Sequence, residues 1–229
     1  MKNQIKVIAF DADDTLWVNE LYFHQAEEKF YDLMKDFKCK KTLSKTLFDI
    51  EMKNLHLYGY GIKGFILSMI ETIGIFYPQN ISSELVGKIL IMGQELMEKP
   101  IELLDDVEDI LKTLQKNYRL IIATKGDLLD QQRKLKKSGL EDYFHHIEIM
   151  SDKKNNDYIK LLNRLNCEPN HFLMLGNSIK SDILPVLEIG GFAAHIPYHL
   201  TWAYESFEQE VKHKKLVQLK YIKDIINFL

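Results

Sequence analysis

Residues 5–17 read IKVIAFDADDTLW: a predominantly apolar run from Ile5 to Phe10, then three carboxylates within four positions, Asp11, Asp13 and Asp14, and then Thr15. The run predicts a strand buried on both faces, as in a parallel sheet covered by helices. Its acids then stand at the carboxyl end, the edge where open α/β sheets bind ligands. Crowded anions there need a compensating cation, proton or positive substrate environment, and a metal is the simplest of these. The alternative is structural, with Asp13 or Asp14 capping the next helical turn.

Working outward, composition narrows the class. The chain has 229 residues, enough for one α/β domain with a smaller insertion, and its hydrophobic content of 46% is that of an ordinary globular protein. A net charge of −3 with interspersed signs gives no basic footprint for nucleic acid and no polybasic membrane patch. Small molecules are the expected partners. Cys39 and Cys167 lie in different segments without metal spacing, so neither a disulfide framework nor a zinc site is expected. The chain enters a strand without a leader-like segment and lacks an 18-residue apolar span, so a cytoplasmic protein is expected.

The Asp11-Ala12-Asp13-Asp14-Thr15 segment resembles the DxDxT nucleophile motif of the haloacid dehalogenase superfamily, most of whose members are Mg²⁺-dependent phosphohydrolases. Further along, strand Arg119–Ala123 runs into Thr124-Lys125-Gly126-Asp127, where Thr124 matches the superfamily's second motif or caps the helix that follows. Strand His145–Met150 precedes Lys153 and Lys154; Lys153 fits the spacing of the superfamily's lysine best. Strand His171–Leu175 delivers Gly176-Asn177-Ser178-Ile179-Lys180-Ser181-Asp182, similar to the acidic fourth motif but with Asn177 in place of its first acid. The fifth strand, Phe192–Pro197, leads to His199, Trp202 and Glu205, which with His195 are candidate substrate contacts or packing residues. The charged stretch Glu205–Lys215 reads as helix, and 221–228 as a last strand or helix.

From Glu20 to about Lys99 the period is helical: Leu21–Phe37, Leu43–Leu57, Gly61–Tyr77 and Ile81–Met97 are candidate helices, the third carrying Ile62, Phe65, Ile66, Met69, Ile70 and Ile73 at helical spacing. The region's place in the chain resembles the superfamily's helical C1-type cap, which closes over the active site, excludes water and selects substrate. The expected architecture is a doubly wound, Rossmann-like parallel sheet of about five strands formed by 1–19 and 100–229, with an all-helical cap at 20–99.

The resemblance implies a division of labour. Asp11 is the nucleophile that forms an aspartyl phosphate, and Asp13 the proton carrier. Thr124, Lys125, Lys153 and Asn177 contact the phosphoryl group or substrate, and Asp11, Asp13 and Asp182 hold Mg²⁺. The implied activity is hydrolysis of a small phosphorylated metabolite. A sugar-phosphate mutase and a catalytically weak binding protein are the alternatives, the latter motivated by Asn177. An acid at position 13 argues against dehalogenation, because the dehalogenases lack one two positions after the nucleophile.

Overall fold

The computed structural model describes residues 4–36, 38–78 and 82–229. The chain divides into two compact units, one of 1–20, 101–125 and 131–229, the other of 21–100 and 126–130.

In the first unit the apolar runs pair as one parallel sheet. Its strands are β1 (Val7–Phe10), β2 (Arg119–Lys125), β3 (His146–Met150), β4 (Phe172–Gly176), β5 (Phe192–His195) and β6 (Leu216–Gln218), in the order β3-β2-β1-β4-β5-β6. Phe10 lies opposite both Ile122 and Leu175, so β1 is central. Alternate residues feed opposite faces. Ile8, Phe10, Leu120, Ile122, Leu173 and Leu175 pack in one buried cluster with Val107, Ile110, Leu111 and Leu114 of helix α5 (Val107–Leu114). Val7, Ala9, Ile121, Ala123, Phe172 and Met174 pack in the other with Tyr158, Leu161, Leu162 and Leu165 of helix α7 (Asn155–Leu165). Two-sided burial is why β1 and β4 read as unbroken apolar runs.

The sheet has one strand more than the five expected. β6 joins parallel to β5, with Ala193 opposite Leu216, and its three residues follow a charged run that masks them. The helix expected over Glu205–Lys215 does not form: a single 3-10 turn ends at Glu205, and no helix follows before β6. Within FEQEVKHKK only Phe207 and Val211 are apolar, too few for a stripe that burial could stabilise. The expected terminal element over 221–228 is a 3-10 turn, Ile222–Asn227, with Ile222 and Ile225 buried.

The second unit is helical: α1 (Glu20–Met34), α2 (Lys40–Tyr58), α3 (Ile62–Phe76) and α4 (Ser83–Glu98). The expected ends at Phe37 and Ile81 lie outside the described residues. On α3 the apolar stripe buries Ile62, Phe65, Ile66, Met69 and Ile73. Gly93 of α4 faces Ile66 at a distance a Cβ would not tolerate, so the glycine sets the close approach of these two helices. Inside, the Asn54 amide donates to Glu71 at 2.9 Å. Among the described residues no helix is long and apolar enough to cross a membrane.

Candidate active site

The chain leaves β1 for β2 and β3 on one side and returns to β4, β5 and β6 on the other, so the strand order reverses at the carboxyl ends of β1 and β4. Such a reversal opens a crevice at that edge. Asp11 follows β1 directly, and its N–H donates to the Leu175 carbonyl at 2.8 Å.

Three buried charges meet there. The Lys153 ammonium lies 2.5 Å from Asp11 Oδ1 and 2.7 Å from Asp182 Oδ1. Burial opposes the charge on Lys153, yet the two carboxylates outweigh it and hold the amine well above lysine's usual range. Burial pushes the Asp11 carboxyl up to about 7 against the pull of Lys153, and Asp182 adds to the rise. One ammonium serves two carboxylates, leaving a negative charge uncompensated. Lys154, by contrast, has a side chain 78% exposed and pairs with Asp152.

Asp182 reaches the strand end through a π-helical turn, Ile179–Ile183, capped by the Ser178 hydroxyl, which accepts from Ser181 N–H at 3.0 Å. Its Oδ2 accepts from Ser178 N–H at 3.0 Å. Only glycine serves at 176, because a Cβ there would run into the Asp182 carboxylate. The Asn177 amide oxygen faces the Thr15 hydroxyl at 3.3 Å, and that hydroxyl is 3.4 Å from Asp11 Oδ2.

Asp13 and Asp14 part company after β1. The Asp13 carboxylate, 24% exposed, accepts from the Trp17 indole at 2.7 Å, from Lys134 at 2.7 and 2.9 Å and from Gln131 at 3.1 Å. Asp14 is buried in the left-handed conformation (φ 61°) and accepts from the backbone N–H groups of Asn19 and Glu20 at 2.9–3.1 Å. Burial pushes its carboxyl up to about 7, against the Asn19 hydrogen bond. Its role is to hold the chain leaving the site.

Thr124, next to last in β2, is buried beside Gln131 of helix α6 (Leu128–Ser138), whose amide nitrogen is 2.8 Å from its hydroxyl. Lys125 points into a knot with Ser181, 2.8 Å away, and with Glu205, whose carboxylate also accepts from Ser178 and Ser181. Burial pushes Glu205 up, but Lys125 and the two hydroxyls outweigh it and hold the carboxylate below the usual range. Glu205 thus ties the loop after β5 to the Asp182 turn. His195 braces the same turn, its Nε2 3.0 Å from the Asn177 carbonyl and its Nδ1 2.8 Å from Gln218. The rings of His199 and Trp202 pack at a tilt, 48° and 45°, against Tyr198 and Tyr204 respectively.

Gln131 and Lys134 are additions that no motif marks. Their signal is helical spacing, since both share a face with buried Leu135. The side-chain oxygens gathered at this strand end that could hold a hard cation are those of Asp11, Asp182 and Asn177. Among the described residues no group of three or more His, Cys, Asp or Glu forms a ready metal cluster.

Comparison with known proteins follows the same lines. The crystal structure of a haloacid dehalogenase-like family hydrolase from Xanthomonas campestris is 31% identical and superposes with a TM-score of 0.87, covering 98% of this chain and 90% of that one. The N-acylneuraminate-9-phosphatase of Mus musculus is 29% identical over 93 residues, which is 38% of this chain and 38% of that protein. The HAD-hydrolase YfnB from Bacillus subtilis, crystallised bound to magnesium, shares the fold at 16% identity, with a TM-score of 0.66 and 99% of each chain covered. Residues 5–190 match the profile of the haloacid dehalogenase-like hydrolases, and the chain belongs to that family.

Proposed function

We propose that this protein is a Mg²⁺-dependent phosphohydrolase that cleaves a small phosphate monoester through an aspartyl phosphate on Asp11. The observation that carries the reading is the unlike setting of two carboxylates on one turn: Asp11 buried against a charged lysine, Asp13 partly exposed two residues on. Phosphoryl transfer needs a nucleophile, a proton carrier and charge compensation. Asp11 Oδ attacks phosphorus as the bond to the ester oxygen breaks, and Asp13 gives that oxygen its proton. Asp13 then takes a proton from the water that attacks phosphorus, which frees phosphate and restores Asp11. Lys153 and the Thr124 hydroxyl face the oxygens of the transferring group.

The donor set fits Mg²⁺. It is all oxygen, as a hard cation requires, and the charge left over by two carboxylates and one ammonium is of the sign a cation relieves. Asp11, the Asp13 carbonyl and Asp182 would hold the ion, which when bound supplies charge compensation to the phosphoryl oxygens. The N-acylneuraminate-9-phosphatase relative supports a phosphate ester over a halide as substrate. The test is phosphate release from 4-nitrophenyl phosphate, expected with Mg²⁺, lost with chelator and restored by added Mg²⁺. Full activity in chelator refutes the metal, absence of turnover on a panel of phosphorylated metabolites refutes the enzyme, and isomer formation in place of phosphate release identifies a mutase.

A further inference from the structure

We infer that Gln131 is a positioning residue for the reaction, one that turns the Thr124 hydroxyl into a committed hydrogen-bond donor toward the phosphoryl group. The inference rests on the phosphohydrolase reading and adds to it a residue that no motif marks.

Gln131 is 4% exposed, and its amide nitrogen has three oxygens in reach: Thr124 Oγ1 at 2.8 Å, the Lys125 carbonyl at 3.1 Å and Asp13 Oδ2 at 3.1 Å. A backbone carbonyl and a carboxylate only accept, so the NH₂ end of the amide must face this group, and the orientation is decided by chemistry. The shortest contact is the one to threonine. A hydroxyl has one proton to give and lone pairs to receive. Once it receives from Gln131, its own proton points elsewhere, and a phosphoryl oxygen at the crevice is an acceptor for it. Asp13 does not need the amide, since Trp17 and Lys134 already hold its carboxylate at 2.7 Å. The other end of the amide shows the same bias. Among the described residues Gln131 Oε1 is buried without a hydrogen-bond partner. An isosteric apolar side chain would avoid that penalty, so packing does not account for a glutamine here.

A structural brace between β2 and α6 would also use this contact, and a double-mutant cycle separates the two roles. The variants are Gln131→Met, which keeps length but cannot donate, Gln131→Glu, which keeps shape but accepts the threonine proton, and Thr124→Val. Each is measured for kcat and KM on 4-nitrophenyl phosphate, for inhibition by inorganic phosphate and for melting temperature. Gln131→Met should lower kcat about tenfold, the worth of one oriented hydrogen bond to a charged group, with KM changed less than about twofold. Gln131→Glu should be worse than Gln131→Met. In the Thr124→Val background Gln131→Met should cost nothing further. Losses that multiply in the double variant, or a Gln131→Glu protein as active as the wild type, overturn the inference. If Gln131→Met melts below the assay temperature, the cycle is run with Gln131→Glu, and multiplicative losses overturn it equally. A wild type that turns over neither 4-nitrophenyl phosphate nor a panel of phosphorylated metabolites sinks the phosphohydrolase reading itself; a wild type that turns over, with independent losses, sinks only the role of Gln131.

Discussion

Asp11→Asn tests the charge arithmetic of the site apart from its chemistry. Two buried carboxylates share the Lys153 ammonium, and Asp11 titrates near 7 against an ordinary 3.8. A carboxyl raised in the fold favours folding at low pH and loses that advantage as pH rises from its unfolded value through its folded one. The raised carboxyl destabilises the metal-free protein by on the order of a few kcal/mol at pH 8, and by little at pH 4. Asparagine is nearly isosteric with the protonated acid and stays neutral throughout. The variant should therefore match the wild type near pH 4 and exceed it by a few kcal/mol at pH 8, while releasing no phosphate. Urea denaturation in chelator across that pH range reads the stability difference, and 4-nitrophenyl phosphate reads the activity. Added Mg²⁺ should narrow the gap at pH 8, because an ion that binds only the native wild type stabilises it by mass action. A stability difference that does not grow with pH refutes the charge argument, and wild-type turnover by the variant refutes the nucleophile.

Three further substitutions probe the surroundings. Glu205→Gln removes the charged partner of Lys125, whose side chain is 15% exposed and which keeps Ser181, and should cost about 2–3 kcal/mol; because Glu205 is held below its ordinary 4.5, the difference should shrink as pH falls through that lowered value, and a difference constant with pH in urea melts would contradict the pairing. Gly176→Ala places a Cβ against the Asp182 carboxyl and should cost on the order of 1–3 kcal/mol together with most phosphate release, whereas a variant with native stability and turnover would show the turn to be soft. Asn177→Asp adds a charged oxygen beside Thr15 and should tighten Mg²⁺ binding in calorimetry; weaker binding would remove the account of Asn177 as a neutral stand-in for an acid.

What the sequence carried depended on how local the signal was. Strands β1, β2 and β4 are apolar runs buried on both faces, and their ends are marked by Asp11, Thr124 and Gly176, so both the sheet and the crevice were legible. β6 has three residues and a charged approach, and it exists only because β5 offers an edge. The stretch after Glu205 resembles a solvated helix in charge density, but it lacks the apolar stripe that would make one. Gln131 and Lys134 lie in LLDQQRKLKK, where polarity suggests solvent; burial comes from Leu135 pulling that face inward. Glu205 and Lys125 lie 80 positions apart, and their pairing is a product of tertiary structure alone.

The central place of β1 also governs how the chain comes off the ribosome. Its register partners begin at Arg119 and Phe172, so the strand made first pairs only with strands made much later. At about 5–20 residues per second, the segment VIAF waits roughly 5–20 s for its first neighbour. Over that interval it is a bare apolar strand with unpaired amides on both edges, the kind of surface that recruits other nascent chains. The helices of 20–98 need only their own backbone hydrogen bonds to begin forming, on the microsecond scale. Synthesis thus produces the helical segment while the β1 segment is still unpaired, and yield in the cell should depend on chaperones that occupy Val7–Phe10 until β2 emerges.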